Sequence, residues 1–242
     1  LYIFYDLVYS NFDKRIAQLS CIALSIHPLF VAITSVPSVE PLFMLLVALS
    51  LRNIESHETK DVIIHSIFVG LAYLTRPLAL TVLVSSLLIK LSNHQYRKLS
   101  YTLFFFFLTI SPWMIRNYLL FEDPFYSSYN YQNKFSSYDE FFYYYSGPIA
   151  SISVFEKISL VIHTSWDYIK IIPNSAGLSV ILPFSIISIF SYLLSTQFRL
   201  KNNQKYYFIL IALLNFALIS MIWSTTRGSR FLLITYIFML PF

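Results

Sequence analysis

Residues 110–131 read ISPWMIRNYLLFEDPFYSSYNY, and within this stretch a hydrophobic run becomes polar. Trp113 lies at the change, and tryptophan is enriched where a membrane meets water. Arg116 follows three residues later and would lie at headgroup depth, where a guanidinium can hold a phosphate through two hydrogen bonds. The stretch therefore predicts a corner at Pro112 and Trp113 on the membrane surface, with Arg116 in one wall of a lipid-phosphate site.

The composition predicts the fold class. The chain has 242 residues, of which 57% are hydrophobic and only 12% are charged, whereas a soluble domain carries about a quarter charged residues. Long apolar runs between short charged loops predict an all-α, polytopic transmembrane helical bundle. A β-barrel would instead alternate apolar and polar residues. The single cysteine, Cys21, lies in an apolar run and is predicted to be a packing residue.

The apolar runs predict one transmembrane domain over residues 1–242. The run 62–91 is too long for one helix, and Arg76 and Pro77 are predicted to break it, because proline disfavours helix at the preceding residue and arginine is costly in mid-bilayer. Residues 116–175 are predicted to form a long extracytoplasmic loop with interfacial helices. Other crossings are predicted at 1–12 (in part), 16–34, 41–51, 99–115, 176–195, 206–223 and 231–242 (in part).

The distribution of lysine and arginine predicts the orientation. One set of short loops holds ten of these cationic residues, and the connections on the other side hold seven over a far greater length. The richer loops are 13–15, 52–61, 90–98 and 196–205. The positive-inside rule makes them cytoplasmic. The acidic and basic residues at helix ends then share the outer face: Glu40, Arg76, Arg116, Arg227 and Arg230. The orientation of the helices in the membrane also explains the net charge of +5. No nucleic-acid partner is therefore predicted from this charge.

Three of these arginines border apolar runs: Arg76, Arg116 and Arg230. Such residues on one face predict a cationic cradle for a phosphate or pyrophosphate; the alternative is that each anchors its helix by snorkelling. Glu40 precedes Pro41, where an acid favours a helix N-terminus. Its carboxylate could also hold a sugar hydroxyl, bind a divalent cation or act as a base.

The remaining polar features allow two interpretations each. The aromatic segment 118–145 suits sugar rings, or forms an interfacial belt, and residues 155–172 have the spacing of an amphipathic helix on the membrane. His27, His65 and His163 lack metal-ligand spacing, so packing or interfacial roles are predicted. With four glycines and no glycine-rich phosphate loop, nucleotide-driven chemistry is not expected.

Four segments, in order, resemble membrane glycosyltransferases of the C type, and most closely the bacterial branch related to dolichyl-phosphate-mannose protein mannosyltransferases and the lipid A aminoarabinose transferase. They are SVEPLFMLLVALSLR (38–52), GLAYLTRP (70–77), SPWMIRNYLLFEDP (111–124) and RGSRFLLITYIFMLP (227–241). The order Pro-Trp, Arg-Asn, acid, Pro in the third segment is the most specific of these patterns.

The resemblance implies an enzyme of the bacterial inner membrane that moves a sugar from a polyprenyl-phosphate-linked donor to a glycan, lipid or protein acceptor on the extracytoplasmic face. It implies no certain cofactor, although a divalent metal is possible. Glu40 is the catalytic candidate within the chain. The substrate-binding candidates are Arg76, Arg116, Asn117, Arg227 and Arg230. Because Leu1 and Phe242 both lie inside apolar runs, the chain is expected to be a fragment, cut at both ends. The family's principal acid precedes the segments matched here, so the fragment is expected to be inactive alone.

Two other functions fit the same features. A lipid-linked saccharide flippase or other transporter would show discontinuous helices, polar residues at mid-bilayer and internal symmetry. A polysaccharide polymerase or ligase would also carry a large outer loop with arginines. Charges gathered at one interface, without an internal repeat, favour the transferase over the transporter.

Overall fold

The computed structural model describes residues 1–52, 54, 58–126, 159, 162, 203–222, 237–238 and 241. These residues form helices and no strand, which confirms the all-α class. The helices are α1 (Tyr2–Asn11), α2 (Lys14–Ile26), α3 (Pro28–Thr34), α4 (Val39–Arg52), α5 (Thr59–Thr75), α6 (Leu80–Ser92), α7 (Tyr96–Phe121) and α8 (Asn203–Ile222). A 3₁₀ turn, Pro77–Ala79, joins α5 to α6.

Helix α5 is the centre of the described bundle, because it packs on both α4 and α7. Its Gly70 lies against α7 so closely that a Cβ atom there would be 2.7 Å from the Cβ atom of Thr109. One turn later, the Tyr73 ring meets the Phe106 ring edge-on at 5.7 Å and the Trp113 ring at 6.4 Å. These contacts fix the register between α5 and α7.

Two histidines have structural roles, as the sequence predicted. His65 is fully buried, and its Nδ1 lies 3.0 Å from the carbonyl oxygen of Ser50. A carbonyl oxygen only accepts, so Nδ1 is the donor in this link between α5 and α4. The Nδ1 of His27 accepts the Phe30 backbone N–H over 3.4 Å at the start of α3. This cap and Pro28 divide the predicted span 16–34 into α2 and α3.

The predicted break at Arg76 is confirmed. Helix α5 ends at Thr75, and Arg76 has extended backbone angles, φ −152° and ψ 130°. Pro77 explains the conformation, because its ring disfavours helical angles at the residue before it. The 3₁₀ turn follows, and α6 then packs on α5.

The predicted corner at Pro112 and Trp113 is wrong, since α7 continues through both residues to Phe121. Proline removes the hydrogen bond that its own N–H would donate to the carbonyl four residues earlier. Here that carbonyl, of Leu108, accepts the Ser111 hydroxyl over 2.8 Å. A neighbouring serine side chain is one of the means by which membrane helices tolerate proline.

Helix α7 has 26 residues, which corresponds to a length of about 39 Å. Within the residues described, it is the one helix long and apolar enough to cross a membrane by itself, and shorter apolar helices cover Pro77–Ser92 and Tyr207–Phe216. About 20 residues span the hydrocarbon, so a helix that enters at Tyr96 brings Arg116 to the opposite surface. The multi-pass arrangement stays a prediction.

The start of the predicted loop 116–175 is the end of α7, followed by a turn at residues 122–126. The rest of that loop lies outside the described residues, apart from 159 and 162, and so does the predicted span 176–195. The predicted crossing 206–223 agrees with α8, which packs on α6.

Replacing Gly70 by Ala should destabilise the bundle by about 1–3 kcal/mol, because the new Cβ would overlap Thr109 in a packed interface. Thermal unfolding in detergent measures this loss. Leu71→Ala is the control, since Leu71 is exposed on the same helix. In a Gly70→Ala/Thr109→Gly protein the contacting atoms are removed, so its loss should be smaller than the sum of the single losses. Additive losses would contradict the close packing.

Candidate functional site

An ion pair joins two of the residues predicted at the outer face. Arg76 Nη2 donates to Glu40 Oε1, and the two side chains are only 18% and 12% exposed. Glu40 lies in the first turn of α4, whereas Arg76 follows the last residue of α5. The contact is therefore made where α4 begins and α5 ends.

The antiparallel packing of α4 on α5 places these two residues together. The same packing brings Ser50, ten residues after Glu40, to His65, eleven residues before Arg76. The extended backbone of Arg76 lets its side chain leave the helix at this end. Glu40 neutralises the guanidinium and fixes its orientation.

Arg116 and Asn117 lie in the last turns of α7. Arg116 is exposed, and its Nη1 donates to the Oδ1 of Asn117 over 3.3 Å. Asn117 is only 2% exposed, and its Nδ2 donates to the backbone carbonyl of Tyr126 over 3.1 Å. The carbonyl of Tyr126 was not anticipated from the sequence; the signal that could have indicated it is the Asp-Pro pair at 123–124, which is typical of a turn.

The register between α5 and α7 places Arg116 at the height of Arg76. Gly70 meets Thr109, and Tyr73 meets both Phe106 and Trp113, so the two helices run parallel. The pairing of Tyr73 with Trp113, continued by one turn, leads from Arg76 to Arg116. The Glu40–Arg76 pair and Arg116 thus share one end of the bundle.

An apolar cavity begins beside this end. Its volume is about 270 Å³, and Thr34 supplies the one polar side chain among the described residues that line it. Pro41, directly after Glu40, lines it, and Met44 and Ala48 continue the wall along α4. A concave surface of this kind suits a hydrocarbon chain.

Residues 1–115 match the model of the family described as dolichyl-phosphate-mannose-protein mannosyltransferase. The chain is similar to that family over this segment. The match covers just under half of the 242 residues, and it confirms the glycosyltransferase family that the sequence motifs predicted. No curated protein matches the chain, and no solved structure does.

The family match contains part of the site. It includes Glu40 and Arg76 and ends one residue before Arg116. It supports membrane glycosyltransferase activity in general terms, with a lipid-linked sugar as donor and a glycan or protein as acceptor.

The predicted site residues fall into three groups. The structure brings Glu40 and Arg76 into contact, and it also joins Arg116 to Asn117. Arg227 and Arg230 lie outside the described residues. The role of each residue in substrate binding stays a prediction.

The structure bears on the possible divalent metal only through Glu40. That carboxylate is held by Arg76, and no group of three or more His, Cys, Asp or Glu side chains suited to a metal occurs in the part of the chain described.

Replacing Glu40 by Gln should lower the free energy of unfolding by about 1–2 kcal/mol, because it leaves a largely buried guanidinium without its counter-charge. Thermal unfolding of the purified protein measures the change. A Glu40→Gln/Arg76→Met protein should lose less than the sum of its single variants.

The Arg52–Asp6 pair supplies the control. Its N–O distance is 3.3 Å, but its side chains are 60% and 39% exposed, so Arg52→Gln should cost at most about 1 kcal/mol. Equal losses at Glu40 and Arg52 would contradict a special role for burial.

Proposed function

We propose that this chain carries the donor-phosphate side of a membrane glycosyltransferase site. The enzyme transfers a sugar from a polyprenyl-phosphate-linked donor to an acceptor on the extracytoplasmic face. The observation that carries the proposal is the largely buried Glu40–Arg76 pair at the same end of the bundle as the exposed Arg116. An arginine fork matches the geometry of phosphate oxygens.

The charges suit the change that takes place at the phosphate. The sugar phosphodiester has one negative charge, and the polyprenyl phosphate that leaves has up to two. Because Glu40 neutralises Arg76, the net charge of Glu40, Arg76 and Arg116 together is about +1, and it comes from Arg116. Positive groups aimed at a developing charge lower the barrier because they stabilise the transition state more than the ground state. Arg227 and Arg230 are proposed as the further cations.

The reaction is proposed to invert the configuration of the sugar. The acceptor oxygen attacks C1 of the sugar, and the bond from C1 to the phosphate oxygen breaks. Its electron pair stays on the phosphate, and a carboxylate base takes the acceptor proton. Because Glu40 is engaged with Arg76, we assign it to orienting Arg76, and we assign the base to no described residue.

The cavity supports a lipid-linked donor. A phosphate at the outer end of α4 would place the attached hydrocarbon chain beside Pro41, which lines the apolar cavity. Burial of hydrocarbon contributes about 0.8 kcal/mol per CH₂ group, so several isoprene carbons would add considerable affinity. The membrane itself would hold the remainder of the chain.

The position of the charges argues against a transporter. Transporter sites lie near the bilayer midplane, where helices are interrupted. Arg76 instead lies in the turn between α5 and α6, and Arg116 lies five residues before the end of α7. Both arginines thus lie at helix ends.

Arg116→Ala in the full-length protein should reduce sugar transfer by about 100-fold or more, because one donor to a developing oxyanion contributes that much. Transfer of a radiolabelled sugar from its polyprenyl phosphate to the membrane acceptor measures it. Membrane insertion and thermal stability should stay unchanged.

Arg97→Ala is the matched control. Arg97 is an exposed arginine of the same helix, at its opposite end, and its loss should leave transfer within about twofold, as expected for a surface position. Full activity of Arg116→Ala would contradict the proposal. Movement of the labelled lipid across the bilayer without transfer would favour the flippase.

A further inference from the structure

The chain reverses direction directly after α7. Glu122 has a positive φ of 58°, and its N–H donates to the carbonyl of Tyr118 over 2.9 Å. The Oδ1 of Asp123 then accepts the Phe125 N–H over 2.9 Å. We call residues 122–126 the fold-back turn.

Two contacts fasten the fold-back turn to α7. The rings of Phe121 and Tyr126 stack with their centroids 3.7 Å apart and their planes within 14°. The second contact is the hydrogen bond from Asn117 Nδ2 to the Tyr126 carbonyl, over 3.1 Å. Aromatic stacking and a buried hydrogen bond each contribute about 1 kcal/mol, so the turn has a defined position on the helix.

Asn117 connects this turn to Arg116. Its carbonyl oxygen accepts from Arg116 Nη1 and its amide nitrogen donates to Tyr126, so both ends of the side-chain amide are engaged. It is also only 2% exposed. A buried amide with both ends engaged is poorly placed to contact a substrate, whereas the exposed guanidinium beside it is accessible.

We propose that Asn117 is a positioning residue, which holds the Arg116 guanidinium toward the donor phosphate by tying it to the fold-back turn. This assignment rests on the proposed function, and it gives Asn117 a role other than direct substrate binding. An exposed arginine has many rotamers, and ordering it on binding costs affinity. A tether at Nη1 restricts those rotamers before the phosphate arrives.

The test measures the affinity of the full-length protein in nanodiscs for a polyprenyl phosphate. Asn117→Leu keeps the branched shape of the side chain but removes both hydrogen bonds, and Asn117→Ala serves as a second variant. Either should raise the Kd about tenfold, the effect expected from releasing one rotamer-rich side chain. The same substitutions in an Arg116→Ala protein should change the Kd less than about twofold.

A second measurement needs no ligand. Phenylglyoxal modifies accessible guanidinium groups, and its rate at Arg116, followed by mass spectrometry, should rise severalfold in Asn117→Leu. Tyr126→Phe is the control for both measurements, because it keeps the stacked ring and the backbone carbonyl that Asn117 uses, and it should behave like the parent protein.

The outcomes separate the two proposals. A Kd increase that is the same with and without Arg116, or an unchanged labelling rate, would overturn the positioning role. If Arg116→Ala does not weaken polyprenyl phosphate binding, the proposed phosphate site fails. The labelling rate still decides whether Asn117 holds Arg116.

Discussion

The structure depends on Pro77, which ends α5 and directs the Arg76 side chain toward Glu40. An arginine within a continuous helix would lie in the apolar interior, where its charge is costly. Pro77 instead forces the residue before it into an extended conformation, and the guanidinium meets the carboxylate at the start of α4. The break at Arg76 and Pro77 also allows α6 to return along α5. One local constraint therefore sets both the topology of these helices and the position of the Arg76 charge.

The second determinant is the close packing of α5 on α7. The absence of a side chain at Gly70 lets Thr109 approach, and the rings of Tyr73 and Trp113 continue the contact toward the end that holds Arg76. Small residues commonly allow such approach between membrane helices. This register carries Arg116 to the height of Arg76. The site therefore draws its geometry from helix packing, and the fold-back turn after α7 completes it locally.

Much of this arrangement could be predicted from the sequence, because hydrophobicity and proline act locally. The helical class, the break at Arg76 and the placing of Glu40 and Arg76 on one face followed from composition, local sterics and charge distribution. The corner at Pro112 was wrong because a Ser111 hydroxyl replaces the interaction that proline removes at the Leu108 carbonyl. Pairings such as Glu40 with Arg76 depend on the register between helices distant in sequence, which a single sequence does not specify.

The central claim is that the ends of α4, α5 and α7 form one phosphate site. The most direct test is a cryo-electron microscopy structure of the full-length protein in nanodiscs with a bound polyprenyl phosphate. We expect phosphate oxygens within about 3 Å of guanidinium nitrogens of Arg76 and Arg116, the distance of a charge-assisted hydrogen bond, and a hydrocarbon chain beside Pro41. A phosphate bound elsewhere, with both arginines in contact with solvent or lipid headgroups alone, would contradict the account.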